Sequence, residues 1–511
     1  MAVDRKITGI PEAFPEIEPD SQELLIDIPA DQAAEDDVSL IEEDDGGVIV
    51  DFAPQSTQNP SSDFYANLAD ELSNSDLSGL SGELISGYSD DKNSRKEWEQ
   101  TYISGLDLLG FKYEEREQPF RGATGITHPL LAESVTQFQA QAYKELLPSG
   151  GPVRTQIVGA ITADKEDQSQ RVKSFMNYQI TEVMEEYDPD MDQLLFYLPL
   201  SGSAFKKVYY DEALQRAVSK FVTSEDLIIP YTATDLMSTE RITHIVHMQT
   251  NDLRKLQVNG FYRDITLTEE SGSTTSDVQS KLDELQGGQP TSNNKEYLLL
   301  EFHVDLDLPG FEDASQDGEQ TGVKLPYIVT VDEGSSNVLS IRRNWNQPDS
   351  LRRKKQYFVH YKFLPGLGFY GFGLIHMIGG LSRSATSVLR QLIDAGTLAN
   401  LPAGFKARGM RIRDDDEPLS PGEFRDVDSP GGNLRDSLLP LPYKEPSATL
   451  FQLLGLIIES GRRFSAIADL PIADSGLTRE MPVGTTMALL ERGTKVMSGI
   501  HKRLHYAQRL E

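Results

Sequence analysis

The amino-acid sequence predicts an α+β protein, and three patterns carry that expectation. Between Trp98 and Leu198 apolar residues recur at helical spacing, and from Gly202 to Phe363 they alternate in short, strand-length runs. Beyond residue 370, two long stripes with a helical period flank a segment broken repeatedly by Pro and Gly.

The helical stretch opens with Trp98, Tyr102, Ile103, Leu106 and Leu109 before Gly110. A second helix is expected from Pro129 to Leu147, stopped by Pro148-Ser149-Gly150-Gly151-Pro152. Val153 to Val158 reads as a strand. A third helix is expected from Asp164 to about Tyr187, with Val172, Phe175, Met176, Ile180, Val183 and Met184 on one side. Asp188-Pro189-Asp190 should break it and cap a short helix from Met191 to Leu198. Strands are expected at Gly202 to Asp211, Ala217 to Val222, Leu227 to Pro230, Ile242 to Gln249, Tyr297 to Val304, Tyr327 to Val331, Val338 to Arg342 and Tyr357 to Phe363. Short helices are expected at Asn251 to Val258 and Asp277 to Leu285.

The most regular pattern is Gly371 to Leu401. Leu374, Ile378, Leu381, Ala385, Val388, Leu392, Ala395 and Ala399 step by four and three, the seam of an α-helix. A second stripe, Ile375, Leu389 and Ile393, widens the face, while Arg383, Ser387, Arg390 and Asp394 lie elsewhere. A partner helix starts near Pro446 and Ser447. Its face is Leu450, Leu453, Leu454, Ile457, Ile458, Gly461, Phe464 and Ile467, and Leu470-Pro471 ends it. Two helices around a Pro/Gly-rich excursion suggest a rod with a small knob at its far end. On these residues alone, an ordinary αα-hairpin with a long connection is the simpler account.

Length and charge bound the remaining possibilities. The 511 residues suit two to four domains. There is no cysteine, which excludes disulfides, thiolate catalysis and cysteine-ligated metals. No apolar run reaches the ~18 residues of a membrane span, and no secretory signal precedes the body, so a soluble, cytoplasm-made protein is expected. A formal net charge of −32 argues against a sequence-specific DNA reader, because phosphate binding relies on clustered Lys and Arg. It does not argue against a conduit, since a passage lined by mixed or negative charge would avoid gripping a polyanion that must slide through. Much of that charge sits in the first ~60 residues, whose runs Glu35-Asp36-Asp37 and Glu42-Glu43-Asp44-Asp45 have almost no basic partners. An acidic, largely disordered arm is expected over residues 1–93.

No enzyme signature emerges. A phosphate-cradling Gly-x-x-x-x-Gly-Lys-Ser/Thr loop is absent, as is any His-Glu-x-x-His pair among the eight histidines. His244 and His247 fall on opposite faces of an expected strand. Asp188, Asp190 and Asp192 resemble the opening of a calcium loop without its glycine and closing glutamate, so helix capping is the simpler role. Gly366 to Gly373, GLGFYGFG, fits a packed strand-to-helix turn better than a phosphate loop. No cofactor and no catalytic or metal-binding residue is expected.

Four passages in order carry a resemblance: FRGATGITHPLLAESVTQFQAQAYKELLP from Phe120, MDQLLFYLPLSGSAFKKVYYD from Met191, GFYGFGLIHMIGGLSRSATSVLRQLIDAGTLANLPAGF from Gly368, and MPVGTTMALLERGTKVMSGIHKRLHYAQRLE from Met481. With the helix–excursion–helix between them, they resemble the portal (head–tail connector) proteins of tailed double-stranded DNA bacteriophages, in the large subgroup typified by short-tailed phages. The resemblance implies a homo-dodecameric ring. It lays an α+β wing on 94–364, a first stem helix on 365–401 and a clip on 402–445. A second stem helix falls on 446–468, a tunnel loop on 469–484 and the start of a crown on 485–511, without the C-terminal barrel of larger members.

By the same resemblance, the ring would occupy one capsid vertex of a virion made in a bacterial cytoplasm. It would meet the major capsid protein and scaffold, dock the terminase and tail adaptor, and pass double-stranded DNA without reading its sequence; no membrane is involved. Candidate DNA-facing groups are Arg479, Glu480 and Lys495. Arg408, Arg411, Arg413, Asp414, Asp415 and Asp416 are candidate clip contacts, and Leu374, Ile378, Leu381, Ala385, Val388, Leu392, Leu450, Leu454 and Ile457 candidate stem packing. Small residues at Gly379, Gly380, Ser384 and Ala385 suit close packing of stems. Two alternatives stay open: a ring-forming adaptor or scaffold component without a DNA channel, and an enzyme using carboxylates.

Overall fold

Residues near 40 and 50 pair as antiparallel strands β1 (Ser39–Glu42) and β2 (Val48–Asp51). They belong to one of two compact units, Met1–Asp63; the other is Phe64–Glu511. The structure, a computed structural model, describes residues 39–42, 48–51, 64–211, 214–267, 277–287, 296–313, 320–400, 404–406, 411–412, 427–428, 438–440, 443–464 and 499–511. The second unit is a mixed helix-and-sheet fold, as the sequence predicts.

The alternating stretches form two antiparallel sheets. β3 (Ser203–Asp211), β4 (Arg216–Val222) and β10 (Phe358–Lys362) make one, in the order β10-β3-β4. The other runs in sequence order through β5 (Leu227–Ile228), β6 (Arg241–Gln249), β7 (Glu296–Leu306), β8 (Leu325–Asp332) and β9 (Val338–Arg343). The period of two is visible in β7. Leu300, Phe302 and Val304 point into one core with Tyr327, Val329 and Ile341, while Leu299, on the other face, joins a core with Leu253 and Tyr262. A sheet with a core on each face reads as a nearly continuous apolar run, which β8 is.

Helix α1 (Asn74–Ser94) covers the first of those faces through Leu77, Leu84 and Tyr88. This corrects the expectation of a disordered arm over 1–93: residues 64–93 are folded. Twelve of the 21 residues of the helix are Ser, Gly or Asp, yet Ser73 caps it and Leu77, Leu84 and Tyr88 recur on one side. Arg95, 2% exposed, joins α1 to α2 (Lys96–Leu106). Its guanidinium donates to the carbonyls of Ser224 (2.6 Å), Glu225 (2.7 Å) and Leu227 (3.2 Å) and to Tyr370 Oη (3.1 Å). Five donors in a planar fork satisfy several carbonyls at once, which is why an arginine is tolerated there.

A helical core lies beside the three-stranded sheet. α2, α3 (Leu130–Leu146) and α5 (Tyr187–Ser201) contribute Tyr102, Leu106, Val135, Phe138, Leu194, Leu195 and Leu198. Between α3 and α5 stands α4 (Ala163–Tyr178), followed by a π-helical turn over Gln179–Val183. The single helix expected from Asp164 to Tyr187 is therefore broken, and Asp188-Pro189-Asp190, expected to end it and cap the next, lies instead inside the first turn of α5. Proline in a first turn costs no intrahelical hydrogen bond, so α5 starts before it. The strand expected at Val153 to Val158 does not form: the segment has no regular secondary structure. α6 (Thr250–Val258) and α7 (Asp277–Gln286) lie where the sequence placed them.

Candidate functional site

The long regular stripe becomes α8 (Leu374–Asn400), and its partner becomes α9 (Ala448–Phe464). They are antiparallel. A Cβ on Gly396, near the end of α8, would lie 3.7 Å from Pro446 just before α9, whereas Gly461, near the end of α9, abuts Leu130 of the body. Between them, β11 (Gly404–Lys406) pairs with β14 (Leu438–Pro440), and β12 (Arg411–Ile412) with β13 (Val427–Asp428). The described residues of the excursion thus form two antiparallel pairs, nested in sequence.

The candidate stem residues divide into two groups that sequence alone did not separate. Leu374 and Ile378, with Ile375, are buried in the helical core and root α8 in the body. Further along, Ala385, Val388 and Leu454 bury one another, with Leu392, Leu450 and Ile457 half-buried around them; Leu381 is half-buried. The small Ala385 side chain, fully buried, permits the close approach. Burying a stripe of this kind contributes roughly 1.5–3 kcal/mol per large aliphatic side chain.

How α8 leaves the sheet is set by glycines. A Cβ on Gly371 would sit 2.3 Å from the carbonyl oxygen of Gly202 and 2.6 Å from that of Leu364, so no other residue fits. Gly202 itself has φ +85°, ending α5 in the left-handed region. Phe369 and Tyr370, 0% and 2% exposed, fill the turn, and Tyr370 Oη takes the Ile229 N–H at 3.1 Å. GLGFYGFG is the packed strand-to-helix turn expected.

A loop, residues 110–128, clamps the side of α8. Asp394 accepts the Thr124 N–H at 2.8 Å, and Thr386 Oγ1 accepts that of His128 at 3.0 Å. Arg390 donates to the Ile126 carbonyl at 2.7 Å and pairs with Glu114 at 2.9 Å. Arg390 and Asp394, set apart by the sequence as off-stripe, are therefore structural contacts. Beside them a cavity of about 680 Å³ is lined by Ser104, Arg116, Phe120, Arg383 and Ser387 among others. Its mixture of three arginines with Asp107, Glu114 and Asp394 commits it to no single ligand charge.

Two buried charge clusters escaped sequence reasoning, because their members lie up to 305 positions apart. Lys207 of β3 bonds both carboxylate oxygens of Glu301 of β7 at 2.7 and 2.8 Å, which ties the two sheets together. His303 Nε2 lies 2.7 Å from Glu301, and His244 Nδ1 3.9 Å. Burial alone would raise the Glu301 carboxyl; Lys207 and the two imidazoles instead hold it well below the usual carboxylate range. Burial lowers both His244 and His303. His247, on the opposite face of β6, is exposed, as the alternation predicts. In the second cluster Glu511, at the end of α10 (499–510), meets Lys206 at 3.1 Å and Tyr361 Oη at 2.5 Å, and also Ser219. Lys206 additionally lies over the Tyr187 ring at 3.9 Å. One signal was available for the first cluster: Lys206-Lys207 follow Ala204-Phe205, and Glu301 sits between Leu300 and Phe302, charges amid apolar neighbours in a strand.

Asp188, Asp190 and Asp192 serve three different neighbours: Tyr143 Oη, the Phe221 N–H and Gln139 Nε2. They form no ion site. Among the described residues no group of three or more His, Asp or Glu is placed to hold a metal, and no helix is long and apolar enough to cross a membrane. Of the candidate clip residues, Arg411 lies in β12 opposite Asp428. Arg408, Arg413, Asp414, Asp415, Asp416 and the candidate tunnel residues Arg479, Glu480 and Lys495 lie outside the described residues, as does the rest of the expected tunnel loop. A scan against protein-family models found none that matches the chain, and a search of curated proteins found no match.

Proposed function

We propose that this chain is the subunit of a portal-type ring that occupies one capsid vertex, carries no chemistry of its own, and lets double-stranded DNA pass through a central bore. The observation that carries the reading is the two-sided apolar character of α9. One side of the helix packs on α8 through Leu450, Leu454, Ile457 and Ile458. Away from that contact, Phe451 on one flank of the helix and Leu453 and Leu456 on the other stay 70%, 43% and 63% exposed. An antiparallel pair rooted in an α+β body, with apolar residues uncovered on both flanks of α9, suits packing against further copies around an axis. A closed ring needs unlike faces to meet head to tail. The four resembling passages and the paired strands between the helices support the same reading, in which the segment joining the helices is the clip and meets terminase and tail adaptor.

Negative-stain images of the purified full-length chain test it. A twelve-fold annulus with an open bore supports the proposal. A ring with a closed centre points to an adaptor or scaffold component, and a particle of one or two chains to the carboxylate-enzyme alternative. Either of the last two overturns it.

A further inference from the structure

Between Leu146 and Met184 no residue is buried. The chain leaves the helical core at Leu146, runs out through a stretch without regular secondary structure, and returns as α4 and the π-helical turn to Met184, which is again in the core. The two legs are held side by side by polar contacts. Asn177 Oδ1 accepts the Val153 N–H at 2.9 Å, and Ser169 Oγ donates to Thr155 Oγ1 at 2.7 Å. On this arm Val158 is 89% exposed, Ile161 67%, Phe175 62% and Tyr178 56%, with Val172 and Met176 near half. Val172, Phe175 and Met176 share a helical face that the sequence marks for burial. An isolated helix of 16 residues is marginal in water, so this face requires a cover.

We propose that the arm, residues 148–183, seats on a second copy of this chain, against a face other than the arm itself. The inference rests on the assembly reading above and names one of its contacts. Three features single out a second copy. The first is charge: the whole chain carries −32, yet the arm balances Arg154, Lys165, Arg171 and Lys173 against Asp164, Glu166, Asp167 and Glu182. Two strongly acidic copies repel each other least where such a neutral element makes the contact. The second is area. With side chains of this size presenting about 150–250 Å² when free, the six exposed residues offer roughly 600 Å², close to the ~800 Å² per partner of a stable interface. The third is that α9 also leaves Phe451, Leu453 and Leu456 uncovered, so each copy has more than one unlike face to offer, as head-to-tail contact requires. The π-helical turn at the arm's base, where the helical hydrogen-bond ladder changes register, gives it a hinge with which to reach.

The absence of cysteine makes the test direct. Phe175→Cys in the full chain, carrying a benzophenone maleimide, is photolysed and the adducts mapped by mass spectrometry. In parallel, Ile161→Ser/Phe175→Ser/Met176→Ser is compared with wild type by light scattering, with circular dichroism melts as the folding check. The expected result is a cross-link to another copy outside residues 148–183, and at least a tenfold weaker assembly of the triple variant at an unchanged melting temperature. A wild type that assembles, with a triple variant assembling equally and no cross-link between copies, overturns the arm contact and leaves the assembly reading standing. Cross-links confined to arm–arm pairs also overturn it. A wild type that stays a single chain at every concentration overturns both.

Discussion

Replacing Glu301 by Gln tests whether the two sheets are held together by the buried charge cluster. The change keeps the shape and removes one charge. Lys207, only 17% exposed, then faces an amide where two carboxylate oxygens stood at 2.7 and 2.8 Å. Breaking one side of a buried pair costs about 3–5 kcal/mol, most of it the stranded partner; since both side chains keep a little solvent contact, the lower end, about 3 kcal/mol, applies here. Lys207→Met together with Glu301→Gln removes the stranded charge and leaves the new side-chain amide to accept from His303, so the double variant should recover about 2 kcal/mol of the combined loss. Urea unfolding followed by circular dichroism, run as a double-mutant cycle, measures this. Additive losses, or a neutral Glu301→Gln, would mean that the pair is not what couples β3 to β7.

Other consequences arise from named contacts. Gly371→Ala places a methyl against two backbone oxygens that cannot move aside; a loss of about 3 kcal/mol or more is expected, seen as a lower thermal midpoint, and a wild-type midpoint would contradict the close approach. Asp394→Ala frees the Thr124 amide, so hydrogen exchange over 120–128 should quicken about tenfold with the body unchanged. Stability should also fall as pH drops through about 6.5. Burial lowers His244, His303 and His360, so the unfolded chain takes up protons there that the folded chain does not, worth at most about 1.4 kcal/mol per pH unit for each. Glu225, raised to about 8 by burial and by Asp226, acts oppositely and offsets about one of them. Urea midpoints at pH 7.5 and 5.5 check the sign; equal or higher stability at 5.5 would contradict it.

The elements with strong periodicity were legible in the sequence. β6, β7, β8 and β9 begin and end within two residues of the expected runs, and α8 matches its stripe to within three. α1 was not legible because Ser, Gly and Asp dilute its face to three anchoring residues. The π-helical break after Tyr178 leaves no mark, since Gln179 to Val183 are ordinary helix formers and β-branched residues in a helical rhythm. Within the stem stripe, a single spacing hid two environments: Ile378 meets the body, Val388 meets α9. Periodicity states that a face will be covered but not by what. The same gap explains why the burial expected at Val172 and Phe175 is missing within the chain. The Lys207–Glu301–His303 cluster left only charges amid apolar strand residues, and their pairing could not be read, because it is assembled from strands that only the fold brings together.

Native mass spectrometry of the intact chain decides whether copies close into a ring. Each chain weighs 56.9 kDa, so a closed ring of twelve should fly as one species of about 680 kDa, and Phe451→Ser/Leu453→Ser/Leu456→Ser should abolish it while leaving the chain folded. A 56.9 kDa monomer at every concentration, or a twelve-chain species indifferent to those three substitutions, would contradict stem-to-stem assembly.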